Sequence, residues 1–217
     1  MRIASFCVRG VAALAFMALG ALAQAHAGEA AESAKEFVQR EANRGVAILS
    51  DTSLSAEARR GAFRSFILGL VDQRRIAQFA LGQYRAKASS ADFEAFVKAF
   101  EDYGVAIYES RLSRYKGQML IVSGVVERSP EDIVVTTEVS GPGGAQSSGE
   151  PLRVAFRLAR TNGAFKAVDI QVAGIWLAID QRSQFTAFLS KHNGDLKVLT
   201  TDLKARTADV LTGLAQN

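Results

Sequence analysis

FKAVDIQVAGIWLAIDQRSQF, residues 165–185, is the stretch that decides the fold. Its first half reads as a strand, with Lys166, Val168, Ile170 and Val172 expected on one face. Ala173-Gly174 then turns the chain, since glycine accepts backbone angles that other residues avoid. From Ile175 the pattern becomes helical, with Phe185, Phe188, Leu189 and His192 recurring at helical spacing. Upstream, Thr161-Asn162-Gly163 is a hairpin turn, because Asn-Gly supplies the positive φ angles a short hairpin needs. Before it, Leu152 to Arg160 alternates, with Leu152, Val154, Phe156 and Leu158 opposed to Arg153 and Arg157. Ile133 to Val139 puts Ile133, Val135, Thr137 and Val139 on one face, and Gln118 to Glu127 is a further apolar run. Short links join all four runs, so they predict a four-stranded antiparallel meander. Gly141 to Gly149 is a Gly/Ser loop expected at the surface.

Helices flank this sheet. Upstream, an apolar stripe starts near Glu29 and breaks at Ser50-Asp51-Thr52-Ser53. Ser55 and Asp72 are caps for the next two helices, and Ser89 or Ser90 caps a long fourth helix running to Tyr115. That fourth helix carries Phe93, Phe96, Phe100, Tyr103 and Ile107 at spacings of three and four. The stripe either fills a core or, where a facing sheet stands away, lines a cavity. Downstream, Asn193-Gly194 ends the fifth helix, and Asp195 caps a sixth with Leu196, Leu199 and Leu203. Helices, then a sheet, then helices predict an α+β fold in one domain.

The 217 residues begin with Arg2 and Arg9, an apolar run from Val11 to Ala23, and the small-residue site Ala25-His26-Ala27, with Ala23-Gln24-Ala25 as a second option. Residues 1–27 therefore read as a secretory signal peptide cleaved near Ala27. A retained membrane anchor is the competing reading, and the run is shorter than the roughly 20 residues a spanning helix needs. The expected domain occupies residues 28–206, and 207–217 read as a loosely held tail. Cys7 leaves with the leader, so the exported chain has no disulfide or thiolate metal site. The leader also takes two arginines and no acid from a formal net charge of +4, and near-neutrality with export argues against nucleic acid as a partner.

Catalytic chemistry is poorly supplied. His192 lies on an apolar helical stripe and suits a structural role. No G-x-S-x-G elbow, calcium loop or phosphate loop is present. Asp169 interrupts an apolar strand and is expected to face outward. Arg59, Arg60, Arg64, Arg74 and Arg75 either meet an anionic head group or acidic protein face, or form a solvated helix face. The residues alone point to a binder of something apolar.

Four stretches carry a resemblance to a known family. Val71 to Tyr84 (VDQRRIAQFALGQY) resembles the "IARxALGxY" signature of the MlaC family, the periplasmic phospholipid-binding proteins also called the toluene-tolerance auxiliary family. The helix from Phe96 to Tyr115 is similar to its "F…YxxxYxxRLxxY" helix. Leu152 to Asp169 is similar to its "P…WRLxxxxGxWKxxDV" hairpin, and Gly174 to Phe185 to its "GxSLxxxxRxxF" corner. Departures are Arg85 where an aromatic is expected, Phe156 and Phe165 for the hairpin tryptophans, and Trp176 for a small polar residue.

The resemblance implies a carrier without cofactor or catalytic group, holding phospholipid in an apolar cavity between sheet and helices. The lining it implies is Phe96, Phe100, Tyr103, Ile107, Val135, Val154, Phe156, Val168, Ile170, Val172, Ile175 and Trp176. It implies partners at both membranes: an outer-membrane lipoprotein–porin complex, and the MCE-domain protein of an inner-membrane ABC transporter. A hopanoid-associated branch of the family and a non-lipid interaction module are the alternatives.

Overall fold

The computed structural model describes residues 11–112, 115–145 and 149–215. The first ten residues of the expected leader, Ser113-Arg114 of the expected fourth helix and 146–148 of the Gly/Ser loop lie outside them. Helix α1 (Val11–Ser50) is followed by α2 (Ala56–Leu70), α3 (Gln73–Leu81), a 3-10 turn (Gly82–Lys87) and α4 (Ser90–Leu112). Local chemistry starts them where the sequence indicates. Ser55 Oγ accepts from the Ala58 amide at 3.1 Å, Asp72 Oδ1 from the Arg75 amide at 3.0 Å, and Ser89 Oγ from the Asp92 amide at 3.1 Å. Each satisfies an amide that the helix's own carbonyls cannot reach.

The sheet follows as β1 (Met119–Ser129), β2 (Asp132–Ser140), β3 (Arg153–Thr161), β4 (Ala164–Val172) and β5 (Ile175–Trp176), antiparallel and in chain order. Helices α5 (Leu177–Lys191) and α6 (Leu196–Ala215) complete the α+β fold. Helix α6 continues through 207–215, where the sequence suggests a loose tail.

The sheet has five strands rather than four. Val172 pairs with Ile175 and Gln171 with Trp176, so the expected strand-to-helix corner is a two-residue hairpin, and the helix starts at Leu177. Ala173 and Gly174 have φ of 48° and 85°, matching 52° and 80° at the Asn162-Gly163 turn between β3 and β4. Both turns need left-handed backbone at two positions, which matches the twist of the flanking strands. Alanine pays a steric cost there that asparagine largely avoids. Ala173→Asn is expected to raise stability by about 0.5–1 kcal/mol, read as a higher denaturation midpoint.

A second departure lies within β4. Asp169 pairs with Arg157 and Ala167 with Leu158, leaving Val168 as a bulge. The bulge switches the strand's faces. Phe165 and Ala167 therefore share a face with Ile170 and Val172, while Lys166, paired with Ala159, points to the other. The expected face of Lys166, Val168, Ile170 and Val172 is thus broken at its centre.

Two cores result. In the first, Ala30, Ala34 and Val38 of α1 pack on Ile133, Val135, Leu158, Phe165 and Ala167 of the sheet. In the second, Ala77, Ala80 and Leu81 of α3 meet Phe93, Phe96 and Phe100 of α4, Phe185 and Leu189 of α5, and Leu196, Leu199 and Leu203 of α6. The aromatic stripe of α4 therefore fills a helix-on-helix core. The link between α2 and α3 ties the cores together. Val71 bridges Ala167, the Asp72 amide donates to the Ala167 carbonyl at 3.0 Å, and Lys166 Nζ donates to the Gly69 carbonyl. This link occupies the outer edge of β4. At the other edge, the Gln39 amide of α1 donates to the Leu120 carbonyl at 3.1 Å and accepts from the Val122 amide at 3.0 Å. Both edges thus carry partners where another strand could otherwise add.

Candidate functional site

The twelve residues expected to line a cavity separate into distinct groups. Phe96 and Phe100 are buried in the helical core, in edge-on contact with Phe185 at 5.7 and 6.0 Å, and Tyr103 packs against the same core. Ile107, further along α4, is half-buried. Val135 is sealed inside the sheet core. Val168 occupies the bulge. Trp176, paired with Gln171, lies on the face opposite Val172 and Phe156, whereas Ile175, paired with Val172, shares their face at the sheet's edge and is 58% exposed.

Four half-buried residues remain together, with the exposed Ile175 at their margin. Val154 pairs with Val172 and Phe156 with Ile170, so they form a two-by-two apolar block on the α1 side of the sheet. Helix α1 crosses this face near the Asn162-Gly163 end, where it buries Leu158, Phe165 and Ala167. The block lies at the other end of β3 and β4, with Phe156 packed against the α1 core at its boundary, and all four of its side chains are half-buried. Cross-strand pairing fixes their spacing at about 5 Å, so they present one continuous apolar strip. This strip has the chemistry to hold alkyl chains. It has no polar group for catalysis.

Asp169 positions the end of this block. The sequence suggests an outward-facing acid, but the carboxylate is buried. One oxygen, Oδ1, accepts from the Ile170 amide at 2.8 Å and from the Ala178 amide at 2.9 Å. Ala178 is in the first turn of α5, whose own cap position, Trp176, supplies no side-chain acceptor. Asp169 therefore caps α5 from the neighbouring strand. Burial pushes its carboxyl up from the ordinary value, while those two amides and Arg157 pull it down. Asp169→Ala should cost about 1–2 kcal/mol of stability by orphaning the Ala178 amide. Asp169→Asn keeps the acceptor. Because the folded carboxyl is raised, the folded state binds its proton more tightly, and this group's contribution grows as pH falls through the raised value. Asn is therefore expected at least to match wild type at neutral pH, with any advantage shrinking on acidification. Denaturation of both variants across pH checks this. Asp132 works in the opposite direction. Hydrogen bonds from Arg157 hold it low, so its contribution is complete above the ordinary carboxyl value and is lost as pH falls through the lowered one.

The α3–α5 side of the molecule carries a feature that sequence reading missed. A groove of about 570 Å³ is lined by Arg75, Gln78, Phe79, Gly82, Arg85, Ala86 and Arg182. Gly82 has φ of 54°, and a Cβ there would lie 3.1 Å from Arg182 Nε, so glycine makes room for that side chain. Of the arginines singled out in the sequence, Arg64 pairs with Asp102 at 2.9 Å, Arg74 with Glu94 at 2.7 Å, and Arg59 donates to the Asp51 carbonyl at 3.1 Å. Arg75 alone of that group enters the groove. Arg182 joins it from a helix more than a hundred residues later, a proximity no local pattern reveals.

A second groove, about 490 Å³, is lined by Phe188, His192, Lys197, Val198, Thr201 and Asp202. His192 stacks on Phe188 at 4.2 Å, and its amide donates to the Leu189 carbonyl at 3.1 Å where α5 ends. Among the described residues, no group of three His, Cys, Asp or Glu side chains is placed to hold a metal ion. No described helix is long and apolar enough to cross a membrane.

Comparison with known proteins agrees with this architecture. A search of curated proteins finds no match. Among solved structures, the phospholipid-binding protein from Ralstonia solanacearum, in complex with a phospholipid, superposes with a TM-score of 0.67 at 22% identity, covering 82% of this chain and 98% of that one. The family model described as "MlaC protein" matches residues 39–205. With that match spanning most of its length, the chain belongs to the MlaC family.

Proposed function

We propose that this protein is a periplasmic phospholipid carrier and not an enzyme, with acyl chains lying on the Val154, Phe156, Ile170 and Val172 block. The observation that carries this reading is that block: four paired apolar side chains, half-buried rather than sealed, in a fold shared with a phospholipid-bound protein. Each buried CH₂ is worth ~0.8 kcal/mol, so two long acyl chains represent ~20 kcal/mol of gross burial. Only an extensive apolar lining offsets the loss of the bilayer. The family supports export, with residues 1–27 removed as a signal peptide. It also supports shuttling between an outer-membrane lipoprotein–porin complex and an inner-membrane ABC transporter bearing an MCE-domain protein, which maintains outer-membrane lipid asymmetry.

The test is transfer. Donor and acceptor vesicles are held apart by a membrane that passes the protein but not the vesicles, and a labelled phospholipid starts in the donor. Label should reach the acceptor only when the protein is present. Equal transfer with and without protein would overturn the shuttle. The hopanoid alternative joins Trp176 to Phe156 in one pocket, and their placement on opposite faces of the sheet gives it no support.

A further inference from the structure

The groove between α3 and α5 brings together three arginines that form no ion pair among the described residues. Arg75, Arg85 and Arg182 all line it, and among the described residues none of the three has a carboxylate at ion-pair distance. The acids that feel their charge are engaged elsewhere. Glu94 lies in the field of Arg85, but Arg74 holds both its oxygens at 2.7 Å. Asp132 lies in the field of Arg75, but Arg157 holds both its oxygens at 2.8 Å. Asp180, beside Arg182 in sequence, keeps its charge, but its carboxylate accepts from Gln184 at 2.8 Å and makes no ion pair with Arg182. Two of the guanidiniums are fixed against rings, Arg85 at 3.8 Å from the Phe93 centroid and Arg182 at 4.9 Å from that of Phe79. Arg85 Nε is buried without a hydrogen-bond partner.

Large apolar side chains border the same charges. Phe79, inside the groove, is 40% exposed, and Ile179, one turn before Arg182, is 55% exposed. Arginines among exposed aromatic and aliphatic side chains are the composition that settles at a bilayer interface, where phosphates meet the guanidiniums and the apolar groups enter the acyl boundary. We propose that this surface docks the protein on an anionic phospholipid bilayer. The proposal rests on the carrier reading, since a lipid cargo has to leave and enter a bilayer.

Co-sedimentation of the full exported chain tests it, using vesicles of phosphatidylcholine alone and of equal parts phosphatidylcholine and phosphatidylglycerol. Native mass spectrometry of the same preparations reads bound lipid. Wild type is expected to prefer the anionic vesicles and to lose that preference at high salt. R75Q/R182Q, which leaves the Arg85–Phe93 stack intact, should partition about 25-fold more weakly, roughly fivefold per arginine. R75Q/R85Q/R182Q should fall by on the order of a hundredfold, with circular dichroism and bound lipid unchanged in both. Equal binding of wild type to both vesicles, or a double variant that partitions like wild type, would overturn the proposal. Wild type that carries lipid but binds no vesicle would also overturn it, would leave the carrier reading standing, and would assign the groove to an acidic protein partner. Wild type without bound lipid would remove the carrier reading beneath it.

Discussion

Ile170→Asp is expected to strip the protein of bound phospholipid while leaving it folded. Ile170 pairs with Phe156 in the apolar block, and it is half-buried rather than sealed. A carboxylate there remains in reach of water in the empty protein, so the fold tolerates it. With acyl chains laid over the block, the same charge is cut off from water without a partner. Even ~3 kcal/mol of that penalty lowers lipid occupancy about a hundredfold. Val172→Asp, in the neighbouring pair, should behave alike. Val126→Asp is the control. Val126 is 60% exposed and pairs with Val134 on the opposite face, so lipid content should not change. Lipid quantified per mole of purified protein, with circular dichroism alongside, reads all three. An Ile170→Asp protein that keeps wild-type lipid content would remove the block from the binding site.

Phe96→Ala should do the reverse. Phe96 has no exposed surface and sits between Phe100 at 5.9 Å and Phe185 at 5.7 Å in the helical core. Truncating a phenylalanine so enclosed costs about 3–5 kcal/mol, through lost transfer energy and the cavity left behind. A domain with only ~5–15 kcal/mol of total stability loses a large share of it. Phe96→Leu, which retains most of the volume, should cost substantially less. Urea denaturation measures both, and lipid per folded molecule should stay constant. A loss of lipid without a loss of stability would return Phe96 to the binding site, where the family resemblance places it.

This contrast shows how far the sequence could be read. Periodicity tells which face of α4 is buried, and that reading holds for Phe93, Phe96 and Phe100. It says nothing of what the face meets, which is α3, α5 and α6. Local signals carried through: the caps at Ser55, Asp72 and Ser89 and the Asn162-Gly163 turn each act within a few residues. The features that shape the site do not. The bulge at Val168 depends on pairing with β3, and the left-handed Ala173 carries the wrong residue for its turn. The cap that Asp169 provides spans nine residues and two elements. Of the twelve expected lining residues, the four half-buried ones that stay together, with Ile175 at their margin, are set by strand pairing, where alternation and register agree.

The central claim is that this chain holds phospholipid, and the mass of the intact protein under native conditions tests it most directly. The chain without residues 1–27, purified without detergent from bacteria expressing it with a periplasmic leader, should appear above its polypeptide mass by that of one or more phospholipids, identified after release by their fragments. A spectrum containing only the bare polypeptide, from protein shown to be folded and able to survive with a lipid added back, would contradict it.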